Sequence, residues 1–85
     1  MRVAIASALR SYTANRQHVA ASGSTVDELL HSLDRSFHGI RFRIVDEQDR
    51  IRVHIRVFVN RELASLRHPV ADGDDVQILC ALSGG

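Results

Sequence analysis

The chain has 85 residues and a mass of 9.5 kDa, which corresponds to one small domain. Apolar residues make up 45% and charged residues 25%, a composition typical of globular proteins rather than of disordered or membrane proteins. The net charge of +1 creates no strong field that would attract nucleic acid or anionic lipid. One cysteine excludes an internal disulfide and a cysteine-cluster metal site, and is typical of a reducing compartment, so we expect a cytoplasmic protein.

The N-terminal apolar segment has two interpretations. It follows Met1 and Arg2 and spans residues 3–9, which is the charge pattern of a short signal peptide. Arg10 ends the segment, and its alternating apolar positions continue into a folded pattern, which favours a first strand over 2–9. The segment is also far shorter than the ~20 apolar residues that span a membrane. We therefore expect no contact with a membrane.

The first half of the chain predicts a hairpin followed by a helix. A weak second strand at 18–22 pairs with the first across a polar turn at 11–17. Thr25 and Glu28 form a capping box, and Gly39 is placed where a helix C-terminal glycine belongs. Between them, apolar residues recur at the spacing of one helix face. These residues are Val26, Leu29, Leu30, Leu33 and Phe37.

The second half predicts three further strands. Strict alternation at 40–44 and 51–59 predicts two strands joined by a polar turn at 46–49. Residues 61–71 are predicted as loop, 72–74 as a tight turn and 75–80 as the last strand. The sequence therefore predicts an α+β fold, a mixed sheet of about five strands with one main helix packed across it. We expect a single domain at 1–80 and a flexible tail at 81–85.

No catalytic or metal site is predicted. The histidines follow no spacing of a common metal site, and the acidic residues at 46–49 and 72–75 lack the ligand series of a calcium loop. The isolated glycines form no phosphate-binding loop, and no nucleophile lies in a recognisable set with a base and an acid. We expect a protein that is not an enzyme. The histidines are His18, His31, His38, His54 and His68.

A basic surface is predicted on the outward face of the strand pair within 40–59. A solvated sheet face is the simplest interpretation, and the alternative is a docking surface for an acidic partner, because the arginine fork binds carboxylates in pairs. Phe58 is included in this surface, but a lone aromatic side chain makes no stacking platform, so RNA is disfavoured. The basic residues are Arg41, Arg43, Arg52, His54 and Arg56.

The sequence ends in Gly84-Gly85, directly beyond the last predicted strand. Residues 81–85 can extend by up to ~16 Å at ~3.3 Å per residue. Glycines lack side chains and can enter a narrow channel, where an adenylating enzyme could activate the terminal carboxylate. A frayed glycine-rich terminus is the alternative interpretation.

With this pattern, the chain resembles the ThiS/MoaD family of ubiquitin-like sulfur carrier proteins. Its central segment is most similar to the CysO-type carrier of cysteine synthesis and to the small subunit of molybdopterin synthase. The resemblance covers nearly the whole length, namely the segments 9–13, 25–33, 39–51, 57–60, 72–79 and the terminal Gly84-Gly85.

The resemblance implies a β-grasp fold and a function for the tail. In this family a ubiquitin-activating-type enzyme uses ATP to adenylate the C-terminal glycine, here Gly85, and converts it to a thiocarboxylate, with Gly84 and Gly85 in the enzyme channel. A downstream synthase then accepts the sulfur, for cysteine or a related metabolite. The small subunit of molybdopterin synthase, a protein modifier attached through Gly85, and a binding domain without tail chemistry are alternatives. The resemblance implies no bound cofactor and a free monomer.

The chain departs from the family just before the tail. Relatives commonly place proline there, where this chain has Leu79-Cys80-Ala81. Cys80 is interpreted as a small apolar residue that ends the last strand. The alternative is a thiol that intercepts the activated carboxylate as a thioester or forms a disulfide with a partner.

Overall fold

The structure is a computed structural model that describes residues 1–81. The predicted tail, with Gly84 and Gly85, lies outside the described residues except for Ala81. The elements in chain order are β1 (Arg2–Ile5), a 3-10 helix (Ser7–Tyr12), β2 (His18–Ala20), α1 (Val26–Ser36), α2 (Ile40–Ile44), β3 (Ile55–Val59), β4 (Glu62–Leu63) and β5 (Asp75–Cys80).

The strands form one mixed sheet in the order β2-β1-β5-β3-β4. β5 pairs parallel with β1 and antiparallel with β3, and the two outer pairs are antiparallel. Alternate residues of the three central strands are buried together with the apolar face of α1. The predicted α+β fold with five strands and a main helix is confirmed. The buried residues of these three central strands are Val3, Ile5, Ile55, Val57, Val59, Val76 and Ile78.

Helix α1 begins where its capping residues predict. The Thr25 hydroxyl accepts the Glu28 backbone N–H at 3.2 Å, and the Glu28 carboxylate accepts the N–H and hydroxyl of Ser24. These bonds from Ser24 lower the pKa of Glu28 below its ordinary value. Leu29, Leu30 and Leu33 are fully buried against the sheet. Within residues 1–81, no helix is long and apolar enough to cross a membrane.

The segment 40–44 is a helix, so the predicted strand there is wrong. Ile40 and Ile44 are fully buried, whereas Phe42 between them is 58% exposed. Residues four positions apart share one helix face, and a strand would instead bury all three alternating residues. The Asp34 carboxylate accepts the backbone N–H groups of Gly39 and Arg41 at 3.1 Å each, and so caps the start of α2.

The strand predicted at 51–59 is shorter than expected and begins at Ile55. Val53, which the alternation placed inside, is 87% exposed. The Ile55 N–H donates to the Arg52 carbonyl at 2.9 Å, which makes a turn directly before β3. An isolated bridge between Val45 and Ile51 replaces the long hairpin and encloses the predicted turn at 46–49, which is confirmed.

The hairpin strands at the N-terminus are also shorter than predicted. β1 ends at Ile5, and the 3-10 helix replaces the rest of that strand and the start of the polar turn. Ser7 breaks the apolar alternation at this point, and the 3-10 helix brings Leu9 into the core instead. β2 ends at Ala20, and β4 lies within the predicted loop 61–71. The tight turn at 72–74 is confirmed by the bond from the Asp74 N–H to the Ala71 carbonyl.

We predict that Leu30→Ala lowers the free energy of unfolding by roughly 2–5 kcal/mol, because it leaves a cavity between α1 and the sheet. Leu63→Ala is the matched control, since Leu63 is 63% exposed and its truncation should change stability by less than ~0.5 kcal/mol. Urea unfolding of both variants checks the prediction. Equal losses in the two variants would contradict the assigned core face of α1.

Candidate functional site

The point at which the chain leaves the sheet is held by backbone contacts with the start of β3 and the residue before it. Cys80, the last residue of β5, is opposite Ile55 in the ladder with β3. The Ala81 N–H then donates to the His54 carbonyl at 2.7 Å. Residues 82–85 follow Ala81, and at ~3.3 Å per residue they span at most ~13 Å from it.

A groove of about 670 Å³ lies beside this exit, and we name it the tail-root groove. Four parts of the chain build it: the 3-10 helix, α2 with the loop after it, the segment before β3, and the end of β5. Its polar and aromatic lining combines groups that are far apart in sequence. These are Tyr12, Phe42, Arg43, Glu47, Arg52, His54 and Cys80, with Ala81 at the exit.

Two arginines of the groove are held against aromatic rings. The guanidinium carbon of Arg52 lies 4.7 Å from the Phe42 ring centroid, and its Nε donates to the Phe42 carbonyl at 2.8 Å. The guanidinium carbon of Arg43 lies 5.9 Å from the Tyr12 ring centroid, and its Nε donates to the Tyr12 hydroxyl at 2.7 Å. Each side chain is therefore positioned by a ring and a hydrogen bond together.

The predicted basic surface does not form one face, because 40–44 is a helix. Arg41 points away from the groove and is only 18% exposed. Its Nη2 lies 2.8 Å from an Asp27 carboxylate oxygen and 3.6 Å from an Asp49 carboxylate oxygen. These contacts connect α1, α2 and the turn at 46–49, so Arg41 is paired with carboxylates inside the described chain.

Arg56 and Phe58 lie on the outer face of the sheet, away from α1. The Arg56 guanidinium donates to the carbonyls of Val53 at 2.6 Å and Ile55 at 3.0 Å, and so turns along the strand edge. Phe58 is half-buried opposite Leu63 of β4. The structure therefore brings Arg43, Arg52 and His54 together in the tail-root groove, which Arg41, Arg56 and Phe58 do not line.

Sequence reasoning missed two parts of the exposed surface. Leu63 and Leu79 (63% and 41% exposed) lie with Phe58 on the outer sheet face and make it partly apolar. The alternation of 75–80 carried the signal for Leu79, since it is out of phase with the buried Val76 and Ile78. Sequence reasoning did not predict that Phe42 and Tyr12 line the groove. The exposure of Phe42 follows only if 40–44 is interpreted as a helix.

Cys80 is half-buried and packs against the hydrophobic core. Burial raises the pKa of its thiol, because the thiolate loses solvation. A thiol of raised pKa is a weak nucleophile near neutral pH, which favours the interpretation of Cys80 as a packing residue. Within residues 1–81, no three histidine, cysteine or acidic side chains are placed to hold a metal ion.

Comparison with known proteins finds full-length relatives. The model of the ThiS family matches residues 3–85. The sulfur carrier protein CysO of Mycobacterium tuberculosis is 34% identical over 89 residues, covering 98% of this chain and 96% of that protein. The chain belongs to the ThiS family.

Solved structures of ThiS-like proteins share its fold. A chain of the BexX/CysO complex of Amycolatopsis orientalis superposes with a TM-score of 0.92 at 35% identity, with coverage of 99% of this chain and 98% of that one. CysO of M. tuberculosis gives a TM-score of 0.90 at 31% identity, with coverage of 95% and 98%. The ubiquitin-like β-grasp fold and the family resemblance drawn from the sequence are confirmed.

The raised pKa of Cys80 predicts slow alkylation of the folded protein. The pH profile of iodoacetamide labelling should lie at higher pH in the folded protein than in denaturant, because only the thiolate reacts. Cys80→Ala combined with Ala20→Cys is the control, since Ala20 is exposed on β2. A profile for Cys80 at or below that of the control would instead favour the reactive-thiol interpretation.

Proposed function

We propose that this chain is a cytoplasmic sulfur carrier that acts through the carboxylate of Gly85 as its C-terminal residue. An ATP-dependent, ubiquitin-activating-type enzyme adenylates Gly85 and converts it to a thiocarboxylate, and a synthase takes the sulfur for cysteine or a related metabolite. ATP is bound by the enzyme, and the carrier holds no cofactor. The proposal rests on one observation above others: the match to the ThiS family runs through the terminal Gly84-Gly85.

The chemistry places few demands on the carrier itself. A carboxylate oxygen of Gly85 attacks the α-phosphate of ATP, and pyrophosphate leaves. Hydrosulfide supplied by the enzyme then attacks the acyl carbon, the bond from that carbon to the AMP oxygen breaks, and AMP leaves, so that Gly85 carries the thiocarboxylate. The carrier contributes a carboxylate on a chain that lacks side chains at its last two positions, so that a narrow channel can surround it.

Two further findings support a carrier that works with partner proteins. CysO of M. tuberculosis is named a sulfur carrier protein, and CysO of A. orientalis has been crystallised in complex with BexX. In this chain the tail begins at a backbone position held by β3, so a partner that binds the folded part also locates the start of the tail.

We predict that deletion of Gly85 abolishes thiocarboxylate formation. The carboxylate of Gly84 would lie one residue, ~3.3 Å, short of the adenylation site. Reacting atoms must approach to about 3–3.5 Å, so this error is as large as the contact itself. Intact mass after coexpression with the activating enzyme checks the result, since the thiocarboxylate exceeds the carboxylate by the mass difference between sulfur and oxygen.

Three controls separate chain length from side-chain bulk and from folding. An appended glycine changes length alone, an appended alanine changes length and adds a Cβ, and Gly84→Ala adds a Cβ at constant length. None touches the buried core, so the urea midpoint should match that of the unaltered protein. Activation of the Gly85 deletion at the unaltered rate would refute the sulfur-carrier proposal.

A ubiquitin-like protein modifier is the second candidate. SAMP1 of Haloferax volcanii, the small archaeal modifier protein 1, superposes with a TM-score of 0.80 at 26% identity, covering 100% of this chain. All eleven cationic side chains of the present sequence are arginines, so it cannot form chains through its own lysines, although one copy could be attached to a target. Covalent adducts through Gly85 to target lysines, seen by mass spectrometry of tagged carrier from cells, would support this candidate. A thiocarboxylate without such adducts would support the carrier.

A further inference from the structure

We propose that the tail-root groove receives an acidic segment of the enzyme that adenylates Gly85, with Arg43 and Arg52 binding its carboxylates. The inference rests on the proposed function, because it concerns the enzyme that acts on the tail. It differs from the docking surface expected from the sequence, since it excludes Arg41, Arg56 and Phe58.

The groove carries a local excess of positive charge. Arg43, Arg52 and His54 face a single acidic residue, Glu47, among the side chains that line it. Within residues 1–81, no carboxylate lies within 4.0 Å of either guanidinium, whereas Arg41 contacts two carboxylates. Arg41 of α2 is therefore neutralised by carboxylates of the described chain. Arg43, two positions further along the same helix, has no ionic partner within residues 1–81.

Both arginines have donors left for a ligand. Each uses its Nε for the bond to Tyr12 or Phe42, and in residues 1–81 neither makes a hydrogen bond through its Nη atoms. The planar end of a guanidinium can bind a carboxylate through two parallel bonds. Because a ring and a hydrogen bond already position each side chain, a partner would lose less conformational entropy when it orders them.

The location of the groove connects it to the adenylating enzyme. Ala81 forms part of the groove wall, and the chain that follows reaches at most ~13 Å. An enzyme that draws the Gly85 carboxylate into its active site must bring its surface within that distance of Ala81, and the groove adjoins this position. Phe42, 58% exposed, offers an apolar contact beside the two cations.

ATP–pyrophosphate exchange by a purified ubiquitin-activating-type enzyme of the source organism tests the proposal. The variant is Arg43→Glu/Arg52→Glu, and the matched control is Arg16→Glu/Arg35→Glu, which makes the same charge change at two exposed positions outside the groove. We expect the KM for the groove variant to rise by about tenfold with kcat retained, because loss of steering charges acts on encounter and docking. The control should change KM by less than about twofold.

Salt and a milder variant provide independent readouts. KM for the unaltered carrier should rise with salt, and KM for Arg43→Gln/Arg52→Gln should rise less steeply, because screening acts on the charges that this variant lacks. The glutamine variant also guards against misfolding of the glutamate variant, and the urea midpoint of each confirms the fold.

The outcomes separate the groove from the tail chemistry. If Gly85 deletion abolishes exchange but the groove variants match their control in KM, the sulfur-carrier proposal stands and the docking proposal is overturned. A loss of kcat at unchanged KM would also overturn it. If adenylation is normal and only sulfur transfer to the acceptor synthase is impaired, the groove binds the acceptor rather than the activating enzyme, which overturns the assignment made here.

Discussion

The position of β5 between β1 and β3 is the constraint on which the site depends. The parallel ladder with β1 holds the strand up to Ile78, and the antiparallel ladder with β3 continues to Cys80, so the end of the strand cannot shift without breaking its pairing with β3. This determines which side chains meet the exit: Cys80 faces inward with Ile78, Leu79 faces the outer surface, and His54 holds Ala81 through its carbonyl. The start of the tail is thus held by the β3 ladder and by the bond from Ala81 to His54.

The elements that were predicted correctly carry more than one independent signal. Helix α1 has capping residues at its start and several turns of apolar spacing, and its tertiary packing agrees with both signals. The last strand is bounded by a turn at 72–74 and alternates over its full length. For the five residues at 40–44, alternation and helical spacing agree at Ile40 and Ile44, and only Phe42 distinguishes the two. A sequence alone does not show that Phe42 is exposed.

The ambiguity between strand and helix at 40–44 also limited what could be predicted of the site. The importance of Gly84 and Gly85 follows from their place in the sequence and needs no tertiary contact. The predicted basic surface, in contrast, assumed a strand pair within 40–59. Because Arg41 and Arg43 lie on a helix, the predicted residues do not share one sheet face. The tail-root groove could not be inferred from spacing, because Tyr12 and Arg43 meet from positions 31 residues apart. Its formation requires the 3-10 helix to replace the end of the first predicted strand.

The use of arginine in place of lysine suits the proposed chemistry of the tail. An acyl adenylate is attacked by unprotonated amines, and a lysine can lose its proton when its surroundings lower its pKa, whereas a guanidinium stays protonated. A lysine at the position of Arg52 would place an amine in the same groove as Ala81, close to the reach of the activated carboxylate. Arginine supplies the positive charge that attracts an acidic partner without offering such an amine. The amino group of Met1 is held by the Ala21 carbonyl at 2.7 Å at the other end of the β1–β2 hairpin. In the proposed chemistry, a basic groove can therefore lie beside an activated tail without offering it a lysine amine.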